Sequence, residues 1–219
     1  PLSRSPIFLK HSLSEECDQN KHLQRKFQKE SKKVYEISKK NLFANEDLKD
    51  LYSNVYHLNN AEVSYFKSKL EKTDRKVKEI KNIIYGGNLY SERCNSLLEL
   101  AEHIEKYNNV TINVYGNASD LVINELNKHK NIKYHGVVSY SKLMEVTREA
   151  DLLLHVEGFS DEYKKDCKYA FSTKISDYLV LGLPMFVYGS EQISGVKFCK
   201  HLIPNFTATS KNDLDKLDL

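Results

Sequence analysis

The stretch FSTKISDYLVLGLPMFVYG, residues 171–189, decides how this chain is read. Ser172 and Thr173 suit the start of a helix, where a hydroxyl accepts from amides that the first turn leaves without partners. Gly182 suits the left-handed position at the helix end, and Pro184 stops continuation. Met185 to Tyr188 is a short apolar run of strand type. The helix start brings free amides, the positive end of a dipole and Lys174 to one place, which is what a phosphate group needs. One turn further on, Asp177 can accept hydrogen bonds from sugar hydroxyls. A phosphate holder beside a hydroxyl acceptor suits a nucleotide-sugar.

Upstream of this stretch, from residue 81, strands and helices alternate. Asn82–Tyr85 is a strand ended by Gly86 and Gly87. Leu97, Leu100, Ala101 and Ile104 share one face of a helix from Glu92 to Tyr107. Val110–Tyr115 is a strand closed by Gly116, Asp120–Lys128 a helix, and Ile132–His135 a strand ending at Gly136. Ser139 or Ser141 caps a helix running to Arg148, and Asp151–Val156 is a strongly apolar strand. A polar loop then leads to the helix at 173–181 and the strand at 185–188. The pattern predicts an α/β fold: a Rossmann-like parallel sheet with helices on both faces. Ligands bind such sheets outside the carboxyl ends of the strands, which singles out loops 86–93, 116–119, 135–140 and 157–173.

Residues 1–80 are different: Lys-rich, polar and mainly helical, with strand signals at Pro6–Leu9 and Lys33–Ile37. A charged surface helix is expected over 13–33, and a second from Leu42 to Tyr56 leading into an extended piece, Val55–Leu58. Residues 67–80 read as a charged linker or helix. The lysines read first as a solvated face; the alternative is peripheral contact with an anionic membrane surface or a polyanionic acceptor.

A composition of 40% apolar and 29% charged residues is that of a soluble globular protein, and a net charge of +3 is too small to imply nucleic acid. No run is long enough to span a bilayer and no signal peptide opens the chain. Cys17, Cys94, Cys167 and Cys199 are scattered without a CxxC pair, which suits free thiols in a cytoplasmic setting. The start at Pro1 and the charged end KNDLDKLDL suggest a piece of a longer protein. No Cys/His cluster has zinc spacing, and Asp213 and Asp215 lie in the charged tail, so no metal and no cofactor are expected.

Five segments in order, GGNLYSER, YG, NIKYHGVVSYSKL, ADLLLHVEGF and FSTKISDYLVLGLPMFVYG, are similar to the C-terminal, donor-binding domain of the group 1 glycosyltransferases, glycosyltransferase family 4. The resemblance covers roughly residues 81–203 and implies the C-terminal half of a GT-B fold. Residues 1–80 are then the end of the N-terminal domain and the linker, and 81–219 the nucleotide-sugar-binding domain. It implies retaining transfer of a sugar from a UDP- or GDP-sugar to a carbohydrate or lipid-linked acceptor, without a metal, in polysaccharide biosynthesis.

Residue by residue, the resemblance places Gly86, Gly87 and Asn88 in the phosphate loop, with Arg93 as its cation. The family has a second basic residue where Asn88 stands; Lys174 can supply that charge from across the cleft. Asp177 stands at the second carboxylate of a pair eight positions apart and takes the ribose hydroxyls; Tyr169 replaces the first, and Glu157 or Asp161 can take over. Gly136, Val137 and Val138 fall where backbone groups hold the base. Arg93, Lys174 and the amides at Ser172–Lys174 then stabilise the leaving diphosphate, and Glu157 touches the sugar.

Plainer readings compete at several of these positions. Gly86-Gly87 alone is a strand-to-helix turn, Asp177 alone favours a helix dipole, and His155 reads as a satisfied core histidine. The whole-chain alternatives are a non-catalytic nucleotide-binding or scaffold domain and a nucleotide-sugar epimerase of the same fold.

Overall fold

The computed structural model describes residues 7–10 and 21–219; expectations for Pro6, for residues 13–20 and for Cys17 lie outside the described residues. Two units are formed, Pro1–Lys67 with Tyr169–Phe171, and Ser68–Lys168 with Ser172–Leu219.

In the first unit, strands β1 (Ile7–Lys10), β2 (Lys40–Phe43) and β3 (Ala61–Val63) form a parallel sheet in that order, joined by helices α1 (Lys21–Ile37) and α2 (Glu46–Tyr56). The strand expected at Lys33–Ile37 is instead the end of α1. Tyr35 and Ser38 are buried while Val34 and Ile37 are exposed, so burial follows a helical face and not a two-residue alternation. The helix expected from Leu42 starts at Glu46, because Leu42 and Phe43 complete β2 and Asn45 caps α2, its side-chain oxygen accepting from the Leu48 amide at 2.9 Å. The extended piece expected at Val55–Leu58 is the end of that helix. His57 turns left-handed there (φ 55°), and strand β3 follows at Ala61. An aromatic core of Tyr35, Phe43, Tyr52 and Tyr56 around Leu48 holds the unit together.

In the second unit, six parallel strands are formed among the described residues. They are β4 (Asn82–Gly86), β5 (Thr111–Tyr115), β6 (Ile132–Gly136), β7 (Leu152–Val156), β8 (Met185–Tyr188) and β9 (Thr207–Ala208). Their order is β6-β5-β4-β7-β8-β9. This is the doubly wound order, with its topological switch between β4 and β7. The helices are α3 (Ser91–Ile104), α4 (Asp120–Leu126), α5 (Tyr140–Arg148), α6 (Asp161–Cys167), α7 (Thr173–Leu181) and α8 (Ser194–Leu202). Every residue of β7 and β8 is buried, as strands covered on both faces require, whereas β5 alternates. Ile83, Tyr85, Ile112, Val114, Leu152 and Leu154 face one core with Leu97, Leu100, Ala101 and Ile104 of α3. On the other face of β4, Leu143 of α5 and Tyr178 of α7 close over Gly86. The α/β fold is therefore the one the sequence pattern predicts. Two helices, α6 and α8, and the short strand β9 are additions; α6 buries none of its residues and so has no apolar period.

Residues 68–80 form no helix but a strap along the second unit. The Ser68 hydroxyl donates to Asp177 Oδ1 at 2.6 Å, the Thr73 amide to the Leu181 carbonyl at 3.1 Å, and the Arg75 guanidinium to Asp151 and the Ala150 carbonyl. Asp151 Oδ2 also accepts from the amides of Lys81 (3.0 Å) and Asn82 (2.7 Å). Burial pushes the pKa of Asp151 up, but Arg75 and the two amides together hold it below the usual value. Asp151→Ala therefore leaves amides unpaired and is expected to cost about 1.5–3 kcal/mol, measured by chemical denaturation at neutral pH. Because the folded-state pKa is depressed, this contribution is complete above the unfolded carboxyl's range and fades as pH falls through the folded value.

No described helix is long and apolar enough to cross a membrane. Cys94 and Cys199 are buried and Cys167 half-buried, all as free thiols; burial pushes Cys199 up to about 12, far from the reactive thiolate range.

Candidate functional site

Three loops stack at the carboxyl ends of β4, β5 and β6. The Gly87 amide donates to the Tyr115 carbonyl at 2.8 Å, Leu89 to Asn117 at 2.9 Å, and Gly116 to Gly136 at 2.9 Å. Asn88 Oδ1 accepts from the Asn117 amide at 3.3 Å, and the Tyr134 hydroxyl donates to the Gly116 carbonyl at 2.9 Å. The stack needs glycine at 116: its φ is +148°, and a Cβ there would lie 2.0 Å from the Gly87 carbonyl oxygen.

Above the stack lies a cavity of about 280 Å³. Its lining combines Gly87, Asn88, Arg93 and Lys174 with Tyr115, Gly116, Val137, Val138 and Leu143. Arg93 comes from the first turn of α3 and Lys174 from the first turn of α7. Both sit where backbone amides and the helix dipole add to positive charge.

Arg93 is not free in this pocket. Its Nε donates to Glu157 Oε2 at 3.0 Å and its Nη2 to Oε1 at 3.1 Å. The Tyr163 hydroxyl also donates to Oε2, and His155 Nε2 lies 3.3 Å from Oε1. The Glu157 side chain is only 3% exposed. Burial alone would raise its pKa; His155 and Arg93 outweigh burial and hold it at about 2. Burial opposes the charge on Arg93 too, yet Glu157 raises the net pKa, so the guanidinium stays charged. Burial lowers the pKa of Lys174, and the Arg93 charge lowers it further, against smaller opposing effects of Glu157 and Asp177. An anion entering the pocket would reverse that shift.

Of the residues singled out from sequence, Gly87, Asn88, Arg93, Val137, Val138 and Lys174 line this one cavity. Gly86, Gly136, Glu157, Ser172, Thr173 and Asp177 are outside its lining. Gly86 is buried under Leu143 and Tyr178, and Asp177 accepts from Ser68. Ser172 is the N-cap of α7, but its hydroxyl makes no capping hydrogen bond, unlike Ser139 and Ser160, which cap α5 and α6. The expected core histidine His155 is buried; among the described residues its Nε2 has no partner of full hydrogen-bond geometry and lies 3.3 Å from Glu157 Oε1, an ion-pair distance. Asp213 accepts from Thr209 and pairs with Lys216, closing the terminal turn.

Sequence reasoning named neither Tyr115 nor Leu143 for the site, and reached Gly116 and Tyr163 only as members of loops 116–119 and 157–173. For Tyr115 a signal existed, since it is a half-buried strand residue just before a loop already singled out. For Tyr163 the signal went no further than its loop, because α6 carries no apolar period.

No family model and no curated protein matches this sequence. Solved structures do match in fold. A mutant of S. aureus TarM in complex with Fondaparinux, alpha-GlcNAc-glycerol and UDP superposes with a TM-score of 0.66 at 14% identity, over 97% of this chain and 43% of that one. Anabaena HepE in complex with UDP and glucose gives 0.56 at 13% identity, over 89% of this chain and 55% of that one. AviGT4, a glycosyltransferase involved in avilamycin A biosynthesis, gives 0.53 at 12% identity, over 81% and 55%. The six-stranded unit thus has the fold of the C-terminal Rossmann-like domain of GT-B proteins. The chain spans about half the length of these structures or less.

Proposed function

We propose that this chain is the donor-binding half of a nucleotide-sugar glycosyltransferase. The observation that carries the reading is the convergence of Arg93 and Lys174, from two separate helix starts, on one cavity at the carboxyl ends of a doubly wound sheet. UDP in the TarM and HepE complexes supports a nucleoside diphosphate as the occupant. The diphosphate lies against the Asn88 amide, Arg93 and Lys174; the base lies by Val137, Val138 and Tyr115. Asp177 takes the ribose hydroxyls in place of Ser68.

Transfer breaks the bond between the sugar's anomeric carbon and the diphosphate oxygen and forms one from that carbon to an acceptor hydroxyl oxygen, whose proton leaves with the diphosphate. Negative charge grows on the departing phosphate as that bond lengthens. Arg93, Lys174 and the first-turn amides of α7 bind that charge more strongly than the ground state, which lowers the barrier. Membership of glycosyltransferase family 4, retention at the anomeric carbon, a hexosyl donor carried on UDP or GDP, and a carbohydrate or lipid-linked acceptor belong to this reading. So do a cytoplasmic place of action in polysaccharide biosynthesis and peripheral membrane contact through the lysines of residues 1–80, of which Lys26 and Lys29 are exposed.

Lys174→Ala is expected to weaken UDP binding by about 1.5–3 kcal/mol, the scale of a hydrogen bond to a charged group. Isothermal calorimetry with UDP and GDP checks it, and unchanged affinity removes Lys174 from the site. Since the Lys174 pKa is lowered, wild-type affinity should fall with rising pH sooner than an ordinary lysine would dictate.

A second reading, a nucleotide-binding domain without catalysis, is favoured by Tyr169. This residue stands where the first carboxylate is expected, and it packs against the aromatic core of the first unit. Release of free sugar from a UDP-sugar by the purified chain argues against that reading.

A further inference from the structure

We propose that Glu157 is a positioning residue: its buried carboxylate fixes the Arg93 guanidinium so that an incoming diphosphate meets an arginine already ordered. The inference rests on the nucleotide-sugar reading above and moves Glu157 from sugar contact to support of the cation.

Glu157 stands just after β7 and Arg93 in the first turn of α3, and their side chains meet in a two-toothed pair at 3.0 and 3.1 Å. The pair occupies Nε and Nη2, leaving Nη1 as the guanidinium nitrogen that Glu157 does not engage, in a residue that lines the cavity. Glu157 is itself held from several sides. Its amide donates to the Tyr188 carbonyl at 2.9 Å, its carbonyl accepts from Ser96 Oγ at 2.8 Å, and its carboxylate accepts from the Tyr163 hydroxyl. A Cβ on Gly189 would lie 2.8 Å from the Glu157 Cβ, so glycine at 189 makes room for this placement. A carboxylate so enclosed reaches no sugar without dismantling its own shell. What it does reach is Arg93, whose planar fork matches a carboxylate on one edge and leaves another for phosphate. An unrestrained arginine loses rotamer freedom when it grips an anion; here that freedom is already lost in the folded chain.

The test is a double-mutant cycle read as the dissociation constant for UDP by calorimetry at fixed salt, with Glu157→Gln, Arg93→Met and the pair. Glu157→Gln is expected to weaken UDP binding about tenfold, the lower end of what orienting partners contribute in metal sites. In the Arg93→Met background it should change affinity less than about twofold, because the carboxylate acts only through that arginine. Tyr163→Phe removes one hydrogen bond from Glu157 and should weaken UDP about threefold, again only when Arg93 is present. Should Glu157→Gln fail to fold, the Tyr163 cycle decides. Affinity that is unchanged or tighter in Glu157→Gln, or losses equal in both backgrounds, overturns the inference alone. A wild-type chain that binds neither UDP nor GDP overturns the nucleotide-sugar reading and this inference with it.

Discussion

Glu157→Ala is expected to lower the stability of the chain by about 3 kcal/mol, seen as a fall in melting temperature of roughly 6–12 °C. Removing one member of a buried ion pair leaves the other charge without a partner, which normally costs about 3–5 kcal/mol. The lower end applies here. Arg93 is 26% exposed and lines an open cavity, so it can turn part of its guanidinium to water. Three further losses keep the effect large. The Tyr163 hydroxyl loses its acceptor, His155 loses the carboxylate 3.3 Å from its Nε2, and a gap opens beside Gly189. The effect should depend on pH with a definite sign. The carboxylate is held at about 2 in the folded state, below its value in an unfolded chain. Its stabilising contribution is therefore complete above the unfolded pKa of about 4.3 and is lost as pH falls from there toward 2. Wild type and variant should converge in melting temperature on acidification. A constant difference down to pH 3 would show that packing, and not charge, accounts for the loss.

Strands β4 to β8 were legible because they are short apolar runs, most of them closed by glycine. Gly86 and Gly116 each mark a strand end, and Gly136 ends the strand it was expected to follow. The first unit was harder. Lys33–Ile37 is rich in strand-forming residues, yet Tyr35 enters an aromatic core from the last turns of α1. Propensity yields to such packing whenever a large ring has a place to go. Within the candidate site, what could be read were residues that act through backbone or charge near a helix start: Gly87, Asn88, Arg93 and Lys174. What could not be read was how charges pair in space. Nothing in the local sequence couples Arg93 to Glu157, which lie 64 residues apart, or recruits Tyr163 from a helix without an apolar face. Asp177 shows the same limit from the other direction. Its spacing suits a ligand, but the fold brings Ser68 to it across 109 residues. Such pairings follow from strand order, which becomes available only once the sheet is assembled.

Gly116→Ala is expected to cost about 2–5 kcal/mol and to remove the cavity, and the reason lies in how two backbones approach each other. A Cβ at 116 would stand 2.0 Å from the Gly87 carbonyl oxygen and 3.2 Å from the Asn88 amide nitrogen, both parts of the main chain. Neither can swing away as a side chain does. Relief requires the loop after β4 to part from the loop after β5. That breaks the hydrogen bonds from Gly87 to Tyr115 at 2.8 Å and from Leu89 to Asn117 at 2.9 Å. The same movement displaces Asn88 and carries the start of α3, with Arg93, away from Lys174. Gly136→Ala provides the comparison. Its φ is +70°, so alanine is strained there as well, but nothing lies within 4 Å of the added carbon. Strain alone costs about 1–2 kcal/mol for one residue held left-handed. Chemical denaturation of the two variants separates collision from strain, and UDP titration should show affinity lost in Gly116→Ala and largely kept in Gly136→Ala. Equal destabilisation in both would mean that the loops yield easily, and that the close stacking of the β4 and β5 ends is not what shapes the cavity.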